Sequence, residues 1–151
     1  RNWSFNLAGL TLGMICGGVI ALKFVVSRPM FFAIVVIALS SLWNFSLAMS
    51  APLLLKIGGA FIDGIALDVL MVNWHTAMQT HIPEESFSRV SAYDAFGSFA
   101  LAPLGVVAAG PLAMFYGVHS ILWATGGVTV VCALLVLLVR SVRNLKLISA
   151  D

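Results

Sequence analysis

The run ILWATGGVTVVCALLVLLV, residues 121–139, holds no charged side chain and stops at Arg140. A helix rising about 1.5 Å per residue crosses the roughly 30 Å hydrocarbon core of a bilayer in about 20 apolar residues, and this run has that length. A second uncharged run, MFFAIVVIALSSLWNFSLAM at 30–49, sits between two breaks, Ser27-Arg28-Pro29 and Ser50-Ala51-Pro52. Proline lacks the backbone donor that a helix interior needs, so these breaks end helices.

Working outward from these two runs, the chain divides into five apolar segments, at about 5–26, 30–49, 55–78, 92–115 and 120–139. Residues 80–90 are polar and read as a loop, and 140–151 read as a basic tail. The segments do not alternate apolar and polar residues, and they are about twice the length of a barrel strand. Helices are the other way to satisfy backbone groups in lipid. The expected fold is an all-α membrane protein with five transmembrane helices.

Composition points the same way. Of 151 residues, 61% are hydrophobic and 9% charged, and the mean hydropathy is +1.06. A soluble domain carries roughly 25% charged residues to cover its surface. The formal net charge of +2 is too small to suggest a nucleic-acid partner, no basic run supports one, and none is expected. Cys16 and Cys132 lie in apolar runs, without ligand spacing, and are expected to be small buried side chains. The chain opens on Arg1 with no signal peptide before its first apolar segment, so it is expected to continue a longer polypeptide.

Positive loop residues mark the cytoplasmic side of a membrane protein. Lys23 and Arg28, then Arg89, then Arg140, Arg143 and Lys146 all fall on one side of a five-span path, against Arg1 and Lys56 on the other. This places the N-terminus outside and the C-terminus in the cytoplasm of a cell (inner or plasma) membrane.

Polar residues inside the spans are the candidates for function, because a charge at bilayer depth costs about 3 kcal/mol on insertion scales and needs a reason to be there. Asp63 and Asp68 lie in the third span. They point about 140° apart at about 100° per residue, so Asp63 is expected to face a different neighbour or the outer interface. Asp68, His75 and Gln79 fall close to one line along that helix, with Asp68 and His75 about 10 Å apart along the axis. Asp68 and His75 are too far apart to share a proton directly, and the expectation is a wet cavity shared by these two. Asn44 in the second span wants an interhelical partner or a polar cargo. Gly9, Gly13 and Gly17 strip one face of the first helix of side chains, so that another backbone can approach. In the fourth span Asp94, Ser98, Ala102, Gly105 and Ala109 make a similar stripe, and Pro103 is expected to bend the helix. Ser91 and Asp94 read as a capping box at the start of that helix, and Asp94 also as the partner of Arg89 in a charge network.

Enzyme signatures are missing. There is no G-x-S-x-G, no H-E-x-x-H and no phosphate loop. His75 and His81 are poorly spaced for a metal. No cofactor and no catalytic residue is expected.

The stretch from Asn73 to Ala113 resembles the major facilitator superfamily, in the branch of macrolide efflux pumps and siderophore exporters called transmembrane secretion effectors. The resemblance rests on Trp74, Thr76, Gln79 and Pro83, on Arg89-Val90-Ser91 and Asp94, and on Pro103-Leu104-Gly105 with Gly110-Pro111-Leu112-Ala113. Ser88 stands where the family often has glycine, and the loop after Gly17-Gly18 holds only Lys23 and Arg28 where the family is richer in charge. The resemblance implies helices eight to twelve of a C-terminal bundle, and alternating access with a midplane site between two halves. It implies export of small amphipathic molecules, of drug or siderophore class, driven by protons. The partners would be the cargo, protons, the lipid bilayer and the absent N-terminal half. Asp68 and Asn44 would contribute to the cavity, and Arg89 with Asp94 to a cytoplasmic gate. The alternative is a membrane scaffold or receptor that kept the fold without transporting.

Overall fold

In the computed structural model the chain is described over residues 2–23 and 29–140. These residues form five helices: α1 (Asn2–Lys23), α2 (Pro29–Ala48), α3 (Leu53–His81), α4 (Glu84–Tyr116) and α5 (Val118–Leu138). Arg1, Arg28, Arg143 and Lys146, used above to orient the chain, lie outside the described residues. Four helices, α1, α2, α4 and α5, are long and apolar enough to cross a membrane. The remaining helix, α3, is 29 residues long but interrupts its apolar surface with Lys56, Asp63 and Asp68.

The polar helix is the one with the most cover. α3 packs along α1 on one flank and α2 on another, α2 in turn packs along α5, and α4 touches α5 only lightly. The core lies at the α1–α3–α2 contacts and is made of small side chains. Ala33, Ala60, Ala66 and Val69 are fully buried, and Val69 is the largest of them. Without a hydrophobic drive between helices in lipid, close fit must hold a bundle together, and small residues permit it.

Glycine makes the α1–α3 contact possible. A Cβ on Gly9 would come 3.0 Å from the Ile57 carbonyl oxygen, one on Gly13 would overlap the Phe61 carbonyl, and one on Gly17 would come 2.7 Å from the Ile65 carbonyl. From the other side, a Cβ on Gly64 would overlap the Leu10 carbonyl. Each step of four along α1 is matched by a step of four along α3, so the two helices run parallel with their backbones touching. The glycine stripe read from the sequence is therefore a packing surface.

The boundaries of α3 and α4 differ from the sequence reading. Residues 80–90 are not a loop: α3 continues to His81 and α4 begins at Glu84, so Ile82 and Pro83 alone connect them. The polar residues there start a helix. Pro83 accepts backbone bonds from Ser86 (2.9 Å) and Phe87 (3.0 Å), and Glu84 and Glu85 place negative charge at the positive end of the helix dipole. It follows that Ser91 is not an N-cap, since it lies inside α4 with its own N–H already within the helix. Pro103 and Pro111 are accommodated within one continuous helix. Cys16 and Cys132 are free and exposed rather than buried.

The α2–α3 turn closes with a left-handed residue that is not glycine. Ser50 has φ 51°, and Ser50 N–H and Ala51 N–H bond back to Leu47 (3.2 Å) and Ser46 (3.0 Å). This is the double bond pattern of a Schellman cap. Gly117, φ 82°, turns the chain between α4 and α5.

Candidate functional site

The two carboxylates of α3 leave it in different directions, as their spacing requires. Asp63 is half-buried and faces the hydroxyl of Ser40 on α2. Asp68 is half-buried against α1, where Gly17 and Gly18 leave room for it. A Cβ on Gly18 would come 2.6 Å from Asp68 Oδ2, and one on Gly17 would come 3.2 Å from Asp68 Cβ. A carboxylate thus lies along bare helix backbone, in a notch that two glycines open.

Other polar groups of the helices are satisfied close to home. Ser40, Ser41 and Ser46 donate to carbonyls one turn back at 2.6–2.7 Å, and Asn73 Nδ2 donates to Val69 O at 2.7 Å. Such bonds let serine and asparagine sit in an apolar helix at little cost. Trp43 is different: its Nε1 is buried with no acceptor, while its ring stacks on Trp3 at 6.5 Å and 24°. Asn44, beside it, is half-buried on α2 and lines none of the cavities described below.

One cavity lies between four helices and holds about 420 Å³. α2 contributes Met30 and Ile34, and α3 contributes Leu70, Met71, Trp74 and His75. α4 contributes Asp94 and Ser98, and α5 contributes Val136. Trp74 Nε1 donates to Asp94 Oδ2 at 3.3 Å, which links α3 to α4. Ile34, Leu70 and Val136 are also walls of an adjoining slot of about 360 Å³, whose other walls include Ile37, Val128, Cys132 and Ala133. The space is therefore apolar along its length and acidic at one end. Its size is within the range of small-molecule sites, roughly 300–1,000 Å³.

The structure redistributes the residues singled out by sequence. His75 and Asp94 come together in the cavity, which the spacing within a single helix had no means of indicating. Asp68 does not join them. It shares a helix line with His75, but α1 covers that line at the level of Asp68. Gln79 is exposed near the end of α3 and outside the cavity. Asp94 pairs with Trp74 rather than with Arg89, and no ion pair forms among the described residues. Arg89 is five positions earlier on α4, about 140° round the helix at about 100° per residue. The sequence reading passed over Met30 and Met71, which look like ordinary apolar residues until two helices bring them to one wall. Among the described residues no His, Cys, Asp and Glu side chains gather to hold a metal ion.

No protein-family model matches the chain, and neither a curated protein nor a solved structure matches it.

Proposed function

We propose that this chain is the C-terminal helix bundle of a proton-coupled secondary transporter of major-facilitator type, exporting small amphipathic molecules by alternating access. One observation carries the reading: an apolar helical bundle keeps two carboxylates at its helix contacts and a third in a cavity between helices. Intramembrane carboxylates are costly, and transport gives them work, since gaining or losing a proton changes which arrangement of helices is favoured. On this reading all five helices cross the cell membrane, α3 included, because α1 and α2 shield its polar positions. The N-terminus lies outside and the C-terminus in the cytoplasm. The five helices correspond to helices eight to twelve, with the N-terminal half supplied by the rest of the polypeptide. Asp68 and Asp63 are the proton-pathway candidates, with Asn44 and Gln79 as further polar contacts. Arg89 and Asp94 stand near the cytoplasmic end of the α3–α4 pair as gate candidates.

The test is flux in sealed vesicles containing the complete protein. An imposed pH gradient is expected to drive movement of an amphipathic dye. Dye movement that ignores the gradient removes proton coupling, and no movement with any of a panel of dyes favours a scaffold that kept the fold. Topology is checked separately, in a background with Cys16 and Cys132 replaced by serine. Single cysteines at Ala51 and Ser86 are expected to react with an impermeant reagent from opposite sides, and reaction from the same side breaks the span count.

A further inference from the structure

We infer that the cavity between α2, α3, α4 and α5 is a binding site for a free organic cation with an aromatic or apolar body, with Asp94 as its counter-charge. The inference deepens the transport reading by assigning a charge sign to the cargo, and it rests on that reading for its biological meaning.

Three features set the chemistry. First, the walls are apolar and include two methionines and a tryptophan, Met30, Met71 and Trp74. Thioethers and an indole face suit a polarisable ring, and an indole attracts a cation by its ring quadrupole. Second, Asp94 is the anionic group of the lining, and no ion pair neutralises it within the described residues. A carboxylate beside low-dielectric walls attracts a cation far more strongly than one in water. A ligand of like charge meets repulsion and loses solvation with nothing in return. Third, the cavity shares Ile34, Leu70 and Val136 with the second, open-sided apolar slot. An amphiphile fits that shape, with its charged end beside Asp94 and Trp74 and its apolar body along α2 and α5. The hydrogen bond from Trp74 Nε1 uses only one acceptor position of Asp94 Oδ2, leaving Oδ1 to face the ligand. His75 also lines the cavity, so the ligand must fit beside its ring.

The experiment compares two ions of the same shape and opposite charge, tetraphenylphosphonium and tetraphenylborate, binding to the purified complete protein in neutral detergent. Quenching of tryptophan fluorescence is read against empty micelles. Saturable binding of the phosphonium is expected, with the borate weaker by about tenfold or more, from Coulombic and cation–π attraction. Asp94→Asn is expected to lower phosphonium affinity about tenfold and to narrow the gap between the ions, while Asp94→Glu restores most of it. Glu85→Gln, an equal charge change at the start of α4, is expected to leave binding unchanged. Far-ultraviolet circular dichroism verifies that each variant is folded, and the comparison of the two ions on the unaltered chain needs no variant. Equal affinity for both ions overturns the inference, and is the result if a lipid acyl chain is the natural occupant. Insensitivity of phosphonium binding to Asp94→Asn overturns it too. The two readings fail separately. Charge-selective binding without gradient-driven flux in the complete protein removes transport and keeps the site. Flux whose cargo binds without regard to charge or to Asp94 removes the site and keeps transport.

Discussion

The α1–α3 contact and the flank of α4 are built from the same residue types and end in opposite conditions. On α1, Gly9, Gly13 and Gly17 each lie against the backbone of α3. On α4, Gly97, Gly105 and Gly110 have nothing within 4 Å of the place a Cβ would occupy, and the whole helix of 33 residues buries none of its side chains. Leu104, Val106, Val107, Met114 and Phe115 all stand exposed on it. A helix with that surface is at ease in hydrocarbon and out of place in water. The difference shows that a stripe of small residues announces only the possibility of close approach, and a partner decides whether the approach happens.

The largest effect should come from filling a used glycine. Gly13→Leu puts a side chain where the Phe61 carbonyl lies, and is expected to destabilise the bundle in detergent by about 3 kcal/mol. Gly105→Leu on α4 is expected to change stability by no more than about 0.5 kcal/mol. Equal losses in thermal or denaturant unfolding would erase the contrast between the two helices.

The next effect is kinetic. Asp68→Asn in the complete protein is expected to cut gradient-driven flux about tenfold, equivalent to about 1.4 kcal/mol, with binding of cargo kept. Gly18→Ala crowds the same carboxyl and should shift flux in the same direction. If flux and its dependence on the gradient are both untouched in Asp68→Asn, the carboxylate only fills its notch.

A smaller effect concerns the one side-chain bond described between α3 and α4. A double-mutant cycle of Trp74→Phe and Asp94→Asn is expected to give a coupling of about 1 kcal/mol in unfolding measurements. No coupling would mean that α4 is positioned without this bond. The smallest effect belongs to the α2–α3 turn: Ser50→Gly relieves a left-handed backbone and is expected to stabilise by about 0.5 kcal/mol. Destabilisation would show that the serine side chain contributes there.

Much of the architecture was readable from the residues, and the failures have physical causes. Uncharged runs closed by proline or arginine locate α2 and α5 to within a residue or two, because length and apolarity are the only conditions that hydrocarbon sets. The start of α4 was misplaced by eight residues because Glu84, Ser86, Ser88 and Arg89 look like loop, whereas polarity there reflects where the helix stands and Pro83 with two glutamates marks its first turn. The opposed directions of Asp63 and Asp68 followed from the helical period alone. Which neighbours they meet did not, since Ser40 and Gly17-Gly18 are brought to them by the packing of other helices. That His75 and Asp94 line one cavity depends likewise on how α3 and α4 are placed relative to each other. Any residue whose role needs two helices is hidden in a reading that takes helices one at a time.

The connections at the two ends of α4 have a consequence for how this helix is kept in place. Ile82 and Pro83 at one end and Gly117 at the other are all the chain between it and its neighbours. With so little slack, its effective concentration beside α5 stays high even with few contacts to hold it there. A helix secured by leash rather than glue changes its tilt at small cost, while prising α1 from α3 would undo contacts at the level of the main chain. On the transport reading, any rocking of this bundle would begin at its tethered member.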